Sequence, residues 1–285
     1  MSMFRRSGQL LAALSLLLAF SPAGLAAKKQ YQEIEVTDGG NISAGLAAKK
    51  QYQEIEVTDG GNISGRVTFT GELPVDAIDR IAITKNPDVC DEDGSGYREV
   101  VWVDVKDGAL RGSFVFIDKI ASGKQWGEPQ GEGYLVLQEG CRFRPWAQVV
   151  RPGKITIRHS DPDSVLHNIN TREMIGVEKG RVVKRTMFNF GQPDPGDIIK
   201  KLKPRRSPFI SLNCEAHNFM FGFMMAPGHP YAVVVGEDGS YSIDGVPSGD
   251  YTVKAWHPRF GIQKTKISVS AGATASADFM FSDSE

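Results

Sequence analysis

From Ile63 onward apolar side chains recur at every second position, as in Arg66-Val67-Thr68-Phe69, Val101-Trp102-Val103-Asp104-Val105 and Ser113-Phe114-Val115-Phe116-Ile117. Alternation sends successive side chains to opposite faces, so these stretches predict strands with a buried side, separated by Gly and Pro turns. Near the C-terminus, Asp238-Gly239 in Gly236-Glu237-Asp238-Gly239-Ser240-Tyr241-Ser242-Ile243 predicts a tight hairpin. Alternation then continues through Thr265, Ile267 and Val269 to Phe279 and Phe281. The pattern predicts an all-β protein.

The N-terminal region follows a different rule. Arg5 and Arg6 precede an apolar run over residues 10–20, and small residues follow at Ala23-Gly24-Leu25-Ala26-Ala27. That order predicts a signal peptide over residues 1–27, too short to span a bilayer, and export to a bacterial periplasm. Residues 23–43 recur without change at 44–64. Two identical copies with no third do not make a solenoid, so residues 28–62 are read as a duplicated N-terminal arm whose second copy enters the fold. Removing the leader takes away two of the 33 basic residues and none of the 34 acidic ones, leaving a net charge of -3. This near-neutral balance gives no support to nucleic-acid binding.

The candidate chemistry is concentrated in Cys214-Glu215-Ala216-His217-Asn218-Phe219-Met220. A thiolate, an imidazole and a thioether in so short a stretch suit copper, which takes two imidazoles and a thiolate near one plane with a weak axial Met. The remaining imidazole is assigned to His167, in Ser160-Asp161-Pro162-Asp163-Ser164-Val165-Leu166-His167-Asn168. Zinc would want more thiolates or a stronger fourth ligand than Met220. The other histidines, His159, His229 and His257, are expected to be structural, and Met224 and Met225 to pack in the core or at a surface. Of the three cysteines, Cys214 is the expected ligand. Cys90 and Cys141 are the remaining pair, and an oxidising compartment predicts a disulfide between them.

A remote His-Asn followed by C-x2-H-x2-M resembles the cupredoxins, and the short ligand loop is most similar to that of amicyanin. The segments Phe143-Arg144-Pro145 and Val149-Val150-Arg151-Pro152-Gly153-Lys154-Ile155-Thr156-Ile157 are similar to the strands before the first ligand of that family. The resemblance covers residues 131–228, and His159 departs from it where many cupredoxins carry Asn. It implies a Greek-key β-sandwich, one type 1 copper held by His167, Cys214, His217 and Met220, and a role for Asn168 in tying the His167 loop to the backbone beside Cys214.

The stretch Ile63-Ser64-Gly65-Arg66-Val67-Thr68-Phe69-Thr70-Gly71-Glu72-Leu73-Pro74 resembles the first hairpin of carboxypeptidase regulatory-like modules, which are transthyretin-like β-sandwiches. The expected continuation, with Val246-Pro247-Ser248-Gly249-Asp250-Tyr251-Thr252-Val253, comes more than a hundred residues later. Residues 63–122 and 229–285 are therefore expected to form one discontinuous sandwich with the cupredoxin inserted. The order of pieces is similar to periplasmic methylamine-utilisation-like proteins. Together these readings predict a non-enzymatic carrier of single electrons between redox partners such as a c-type cytochrome or a dehydrogenase. A copper carrier or storage module and a non-redox cell-surface interaction module are the alternatives. Phe219, Phe221, Phe223 and Pro227 are expected in the core first, with an apolar exit surface around His217 as the alternative, and the basic run at residues 200–206 as a solvated loop, with steering of an acidic partner as the alternative.

Overall fold

Alternating side chains build four stacked β-sheets, two middle ones facing each other and two outer ones. The computed structural model describes residues 52–129, 131 and 133–283. These lie in a single unit spanning residues 47–285. The expected signal peptide and the first copy of the repeat fall outside the described residues, as does the arm before Tyr52.

The strand Gly61–Thr70 organises the first outer sheet. It pairs antiparallel with Ser240–Val246 and parallel with Thr274–Ser276 and Phe279–Ser282. Ala109–Arg111 and Asp104–Lys106 extend the same sheet. The neighbouring middle sheet sets Phe114–Ile117 between Ala232–Val234 and Gly249–His257, with Gly261–Val269 beyond. Ile63 and Val67 from one sheet and Val115, Ile117, Val253 and Ala255 from the other share one core.

The other middle sheet runs in the order Ala147–Val149, Phe221–Met225, Phe209–Asn213, His167–Ile175 and Val183–Gln192. The last sheet runs Arg142–Arg144, Leu135–Glu139, Gly153–His159 and Gly196–Leu202. Val136, Ile155, Ile157, Ile169, Ile210, Leu212 and Met224 fill the space between them.

Strand alternation also explains how the middle sheets meet. Phe114, Phe116 and Trp256 turn away from the first core and pack on Phe209, Phe223, Met225 and Met174. The Trp256 ring lies 5.0 Å from Phe114 and 4.5 Å from Phe209. Lys254 is buried beside them, its Nζ donating to Asp118 Oδ1 at 2.6 Å and Glu178 Oε1 at 2.9 Å, the pairing that a buried ammonium requires.

The segment 78–101 departs from the expected arrangement. The predicted strand at 101–105 is broken, because Tyr97–Val101 pairs with Ile78–Ala82 in a separate two-stranded sheet. This hairpin carries the short helix Pro87–Cys90. Cys90 and Val100 are buried in the core that holds Ile169 and Leu212, with Ile81, Ile83 and Val89 packed against it, rather than in the core of Ile63 and Val67. The physical reason is the Cys90–Cys141 disulfide, with a Cα separation of 5.2 Å, and the apolar face the hairpin turns toward it. Trp102 packs against all three clusters where the chain crosses over, and its Nε1 donates to Asp79 Oδ2 at 2.7 Å.

At the N-terminal side, the second repeat copy reaches the fold before residue 63. Gln53–Glu54 pairs with Ser122–Gly123, and the Tyr52 hydroxyl donates to Lys124 O at 2.6 Å. Among the described residues, no helix is long and apolar enough to cross a membrane.

Candidate metal centre

His167 opens the strand His167–Ile175, Cys214 follows its neighbour Phe209–Asn213, and His217 lies in the turn before Phe221–Met225. Asn170 pairs with Asn213 and Asn213 with Phe221, so the three strand ends lie side by side at one end of the sandwich. The turn is closed by its own backbone. Cys214 N–H donates to Met220 O at 3.2 Å, and Met220 N–H to His217 O at 3.1 Å.

A nitrogen of His167, a nitrogen of His217 and the sulfur of Cys214 lie within 4.8 Å of one another, and all three residues are buried. Cys214 Sγ is 3.8 Å from His217 Nδ1 and accepts the Asn168 backbone N–H at 3.3 Å. Met220 is buried in the same core.

Each imidazole is fixed through its outer nitrogen. His167 Nε2 is 2.7 Å from Asp161 Oδ2, and that carboxylate also accepts the backbone N–H groups of Gly140 at 2.6 Å and Cys141 at 3.0 Å. A carboxylate only accepts, so the ring donates from Nε2, and its buried Nδ1 has no hydrogen-bond partner among the described residues. His217 Nε2 is 3.0 Å from Asn86 Oδ1, while Asn86 Nδ2 donates to Ser164 O at 3.0 Å. That second bond sets the amide's orientation, so His217 also donates from Nε2 and keeps its Nδ1 lone pair toward Cys214.

The local electrostatics favour a thiolate. Burial pushes the Cys214 thiol up, but His167, His217 and the Asn168 N–H outweigh it and bring its pKa down to about 6. Burial disfavours the charge on His167, yet Asp161 and Cys214 overcome this and raise its pKa. Burial likewise opposes ionisation of Asp161, and His167 with the two amides more than compensates, holding that carboxyl below the usual range. Two imidazoles and a thiol form a donor set that fits copper, and the orphaned His167 Nδ1 is a buried polar atom that a metal would satisfy.

Asn168 ties the two ligand loops together. Its Oδ1 accepts Glu215 N–H at 3.2 Å and its Nδ2 donates to Asn189 Oδ1 at 2.8 Å. Glu215 in turn accepts from Asn170 and Asn189.

No curated protein matches the chain. Residues 226–277 match the family model for domain II of polysaccharide lyase family 4. Among solved structures, the chain is similar to a purple cupredoxin from Nitrosopumilus maritimus, with 15% identity and a TM-score of 0.25 over 33% of this chain and 99% of that one. A point mutant of amicyanin, in its reduced Cu(I) form, gives 15% identity and a TM-score of 0.22 over 40% of this chain and 98% of that one. A copper-containing nitrite reductase from Thermus scotoductus gives 13% identity and a TM-score of 0.25, covering 39% of this chain and 25% of that one.

Several residues around the site carry no motif. Asn86 reaches His217 from the hairpin of segment 78–101, and only the folded chain brings it there. Asp161 stands in a Ser-Asp-Pro-Asp-Ser stretch that reads equally well as a turn. The Cys90 and Cys141 sulfurs, bonded at 2.00 Å, lie within 4.8 Å of a nitrogen of His217. His159 sets its ring edge-on to His167 at 4.7 Å, and burial, then His167, pushes its pKa down. His229 and His257 lie away from the site, beside Tyr231 and Phe260 respectively.

Phe219 and Phe223 are buried, as the core reading expects, and the alternative aromatic surface around His217 does not form. Phe219 is buried against His217 at 5.6 Å, and Phe223 faces the opposite side of its sheet, packing on Trp146 and Trp256. Alternation along Phe221–Met225 is the reason, since it turns Gly222 and Met224 to the inner core and Phe223 to the other middle sheet.

Proposed function

We propose that this protein binds one copper ion through His167, Cys214, His217 and Met220 and carries single electrons between redox partners as an exported, periplasmic protein. The observation that carries the reading is the buried cluster of two imidazoles and a thiol at ligand separation, with His167 Nδ1 left unpartnered among the described residues beside a thiol of lowered pKa. Bound copper supplies one-electron Cu(I)/Cu(II) cycling. The chain's own contribution is rigidity. Asp161 and Asn86 hold the outer nitrogens, Asn168 braces the loops and donates to the thiolate, and burial keeps water from the ligands.

Buried ligands favour an electron carrier over a module that hands its metal on, because a hand-over site must be open to its recipient. In the same reading residues 131–228 are a cupredoxin inserted into a second sandwich made from residues 63–122 and 229–285. The pairing of Gly61–Thr70 with Ser240–Val246 and Phe279–Ser282 supports this, and the hairpin at 78–101 is the part lent to the inserted domain.

Titrating metal-free protein with Cu(II) tests the proposal. An intense visible thiolate charge-transfer band with narrow copper hyperfine splitting is expected, and Cys214→Ser should abolish it. A colourless Cu(II) complex in the wild type would overturn the reading.

A further inference from the structure

We propose that the Cys90–Cys141 disulfide positions the two imidazoles of the metal centre, and that its formation is the maturation step that gives the centre its affinity for copper. This inference rests on the copper reading above and gives the disulfide a role beyond closing a loop.

The outer anchors of the two histidines stand on opposite sides of this bond. On one side, the one-turn helix Pro87–Cys90 joins Asn86 to Cys90, since Asn86 O accepts the N–H groups of Val89 at 3.1 Å and Cys90 at 2.8 Å. Asn86 stands at the helix N-cap, where an Asn side chain ordinarily bonds a free N–H of the first turn. It makes no such bond. Its amide is used instead on His217 Nε2 at 3.0 Å and on Ser164 O at 3.0 Å, in the loop that leads to His167. On the other side, Gly140 and Cys141 form the tight turn between Leu135–Glu139 and Arg142–Arg144. Both N–H groups of that turn donate to Asp161, at 2.6 and 3.0 Å, and Asp161 holds His167 Nε2 at 2.7 Å. Contacts therefore run unbroken from His217 through Asn86, Cys90, Cys141 and Asp161 to His167, and the disulfide is their covalent crossing.

Backbone conformation marks the same two points. Among the described residues, three non-glycine residues have a left-handed φ, and two of them are Asn86 at 48° and Cys141 at 54°. Residues with a Cβ rarely enter this region, and a hairpin turn with both central residues there usually takes Asn, Asp or Gly. Cys141 holds that conformation with Asp161 on its N–H and Cys90 on its sulfur. Arg98, 5% exposed, braces the crossing, because its Nη2 donates to Cys90 O on one side and Gly140 O on the other. The bridged sulfurs also lie within 4.8 Å of a His217 nitrogen, so the bond itself forms part of the wall beside that ring.

Without the bond, Asn86 and the Gly140–Cys141 turn are joined by non-covalent contacts such as those of Arg98, and each imidazole loses its fixed relation to the other. Metal affinity depends on such outer partners by about 10- to 100-fold. In forming the bond, the two thiols give up two protons and two electrons to a disulfide-bearing oxidant, which leaves as a dithiol, and one sulfur–sulfur bond replaces two S–H bonds. Both cysteines are 0% exposed in the folded chain, which shields the bond from attacking thiolates. The step is therefore a single maturation event and not a reversible switch.

The first arm of the test uses metal-free protein. Imidazole nitrogen NMR shifts should show His167 and His217 each locked as the Nε2–H tautomer. In Cys90→Ala with Cys141→Ala, kept folded with sucrose, both rings should exchange between tautomers. Trp256→Ala, a buried change that leaves every member of the bridge in place, should keep both rings locked. Locked rings in the cysteine variant would make the disulfide a staple only and overturn the proposal. Should that variant not fold, Asn86→Ala cuts the bridge with the disulfide intact and should release His217, while Asn86→Asp, which keeps the acceptor, should hold it. A His217 ring that stays locked in Asn86→Ala would equally overturn the proposal. The second arm measures Cu(II) affinity by competition with a chelator. A fall of about 10- to 100-fold is expected in the cysteine variant and none in Trp256→Ala. An unchanged affinity in the cysteine variant, or an equal loss in both, would refute the inference. The tautomer arm needs no copper, so it is judged apart from the copper reading, which rests on the Cu(II) titration of the wild type.

Discussion

Asp161 bears more on this site than its place in a turn-like stretch suggests. It is buried, and it is hydrogen-bonded to His167 Nε2 and to the N–H groups of Gly140 and Cys141. Replacing it with Ala strands three donors, two of them buried, for which a loss of about 3 kcal/mol of metal-free stability is expected, read from urea unfolding. Metal affinity should fall by about 10- to 100-fold because the ring loses its orientation, and unchanged affinity would show that packing alone holds His167. Met220→Leu should keep the visible band and raise the reduction potential, since loss of a weak axial donor disfavours Cu(II) more than Cu(I). The convergence of His167, Cys214 and His217 was legible because a thiol, an imidazole and a thioether seldom crowd into seven residues for packing alone. Asn86 and Asp161 were not, because Asn and Asp commonly serve only a turn, and the partners of these two lie far off in the chain or are backbone amides.

The strands were legible from alternation, but the allegiance of the hairpin at 78–101 was not. Its outward residues Ile78 and Val101 are exposed, and its inward ones give no hint of which of two cores they join. Only the Cys90–Cys141 pairing, read by elimination, pointed across. Closing a loop with a sequence separation of 51 should stabilise the fold by about 4 kcal/mol in the chain-entropy model, a loss to be read on reduction of the metal-free protein. Glu173, on the strand that begins at His167, shows an element-scale dependence on pH. It is 0% exposed, accepts from Arg185, and accepts the backbone N–H groups of Arg205, Arg206 and Ser207. Burial opposes its charge, but those donors outweigh it and lower its pKa from 4.5 to about 2. A depressed folded value means that the stabilisation is present above the unfolded value and is lost as pH falls from about 5 toward 2. The shift corresponds to about 3 kcal/mol. Glu173→Gln should therefore be less stable at pH 7 and show a flatter decline on acidification, measured by urea midpoints across that range.

At the scale of the whole molecule, the two middle sheets share a core of their own. Phe114–Ile117, expected as a strand with one buried side, is buried throughout because its residues alternate between two cores. Alternation alone did not reveal the second core, since Phe209 and Phe223 lie in a distant part of the chain. Trp256 is the largest fully buried side chain among the described residues, and it touches Phe114 on its own side and Phe209 and Phe223 across the junction. Truncation to Ala removes contacts that the flanking sheets cannot restore by collapse, so a loss of about 3–5 kcal/mol is expected. Each sandwich retains its own core, Ile63 with Val253 in one and Ile157 with Leu212 in the other, so the loss falls on the coupling between them. Calorimetry of the copper-loaded wild type should give one cooperative transition, and Trp256→Ala should split it in two. Loss of the visible copper band should follow only the transition of the sandwich that holds Cys214. A variant that still unfolds in one step, with the band vanishing at the same temperature, would mean that Lys254, with Asp118 and Glu178, and Trp102 suffice to hold the two sandwiches as one unit.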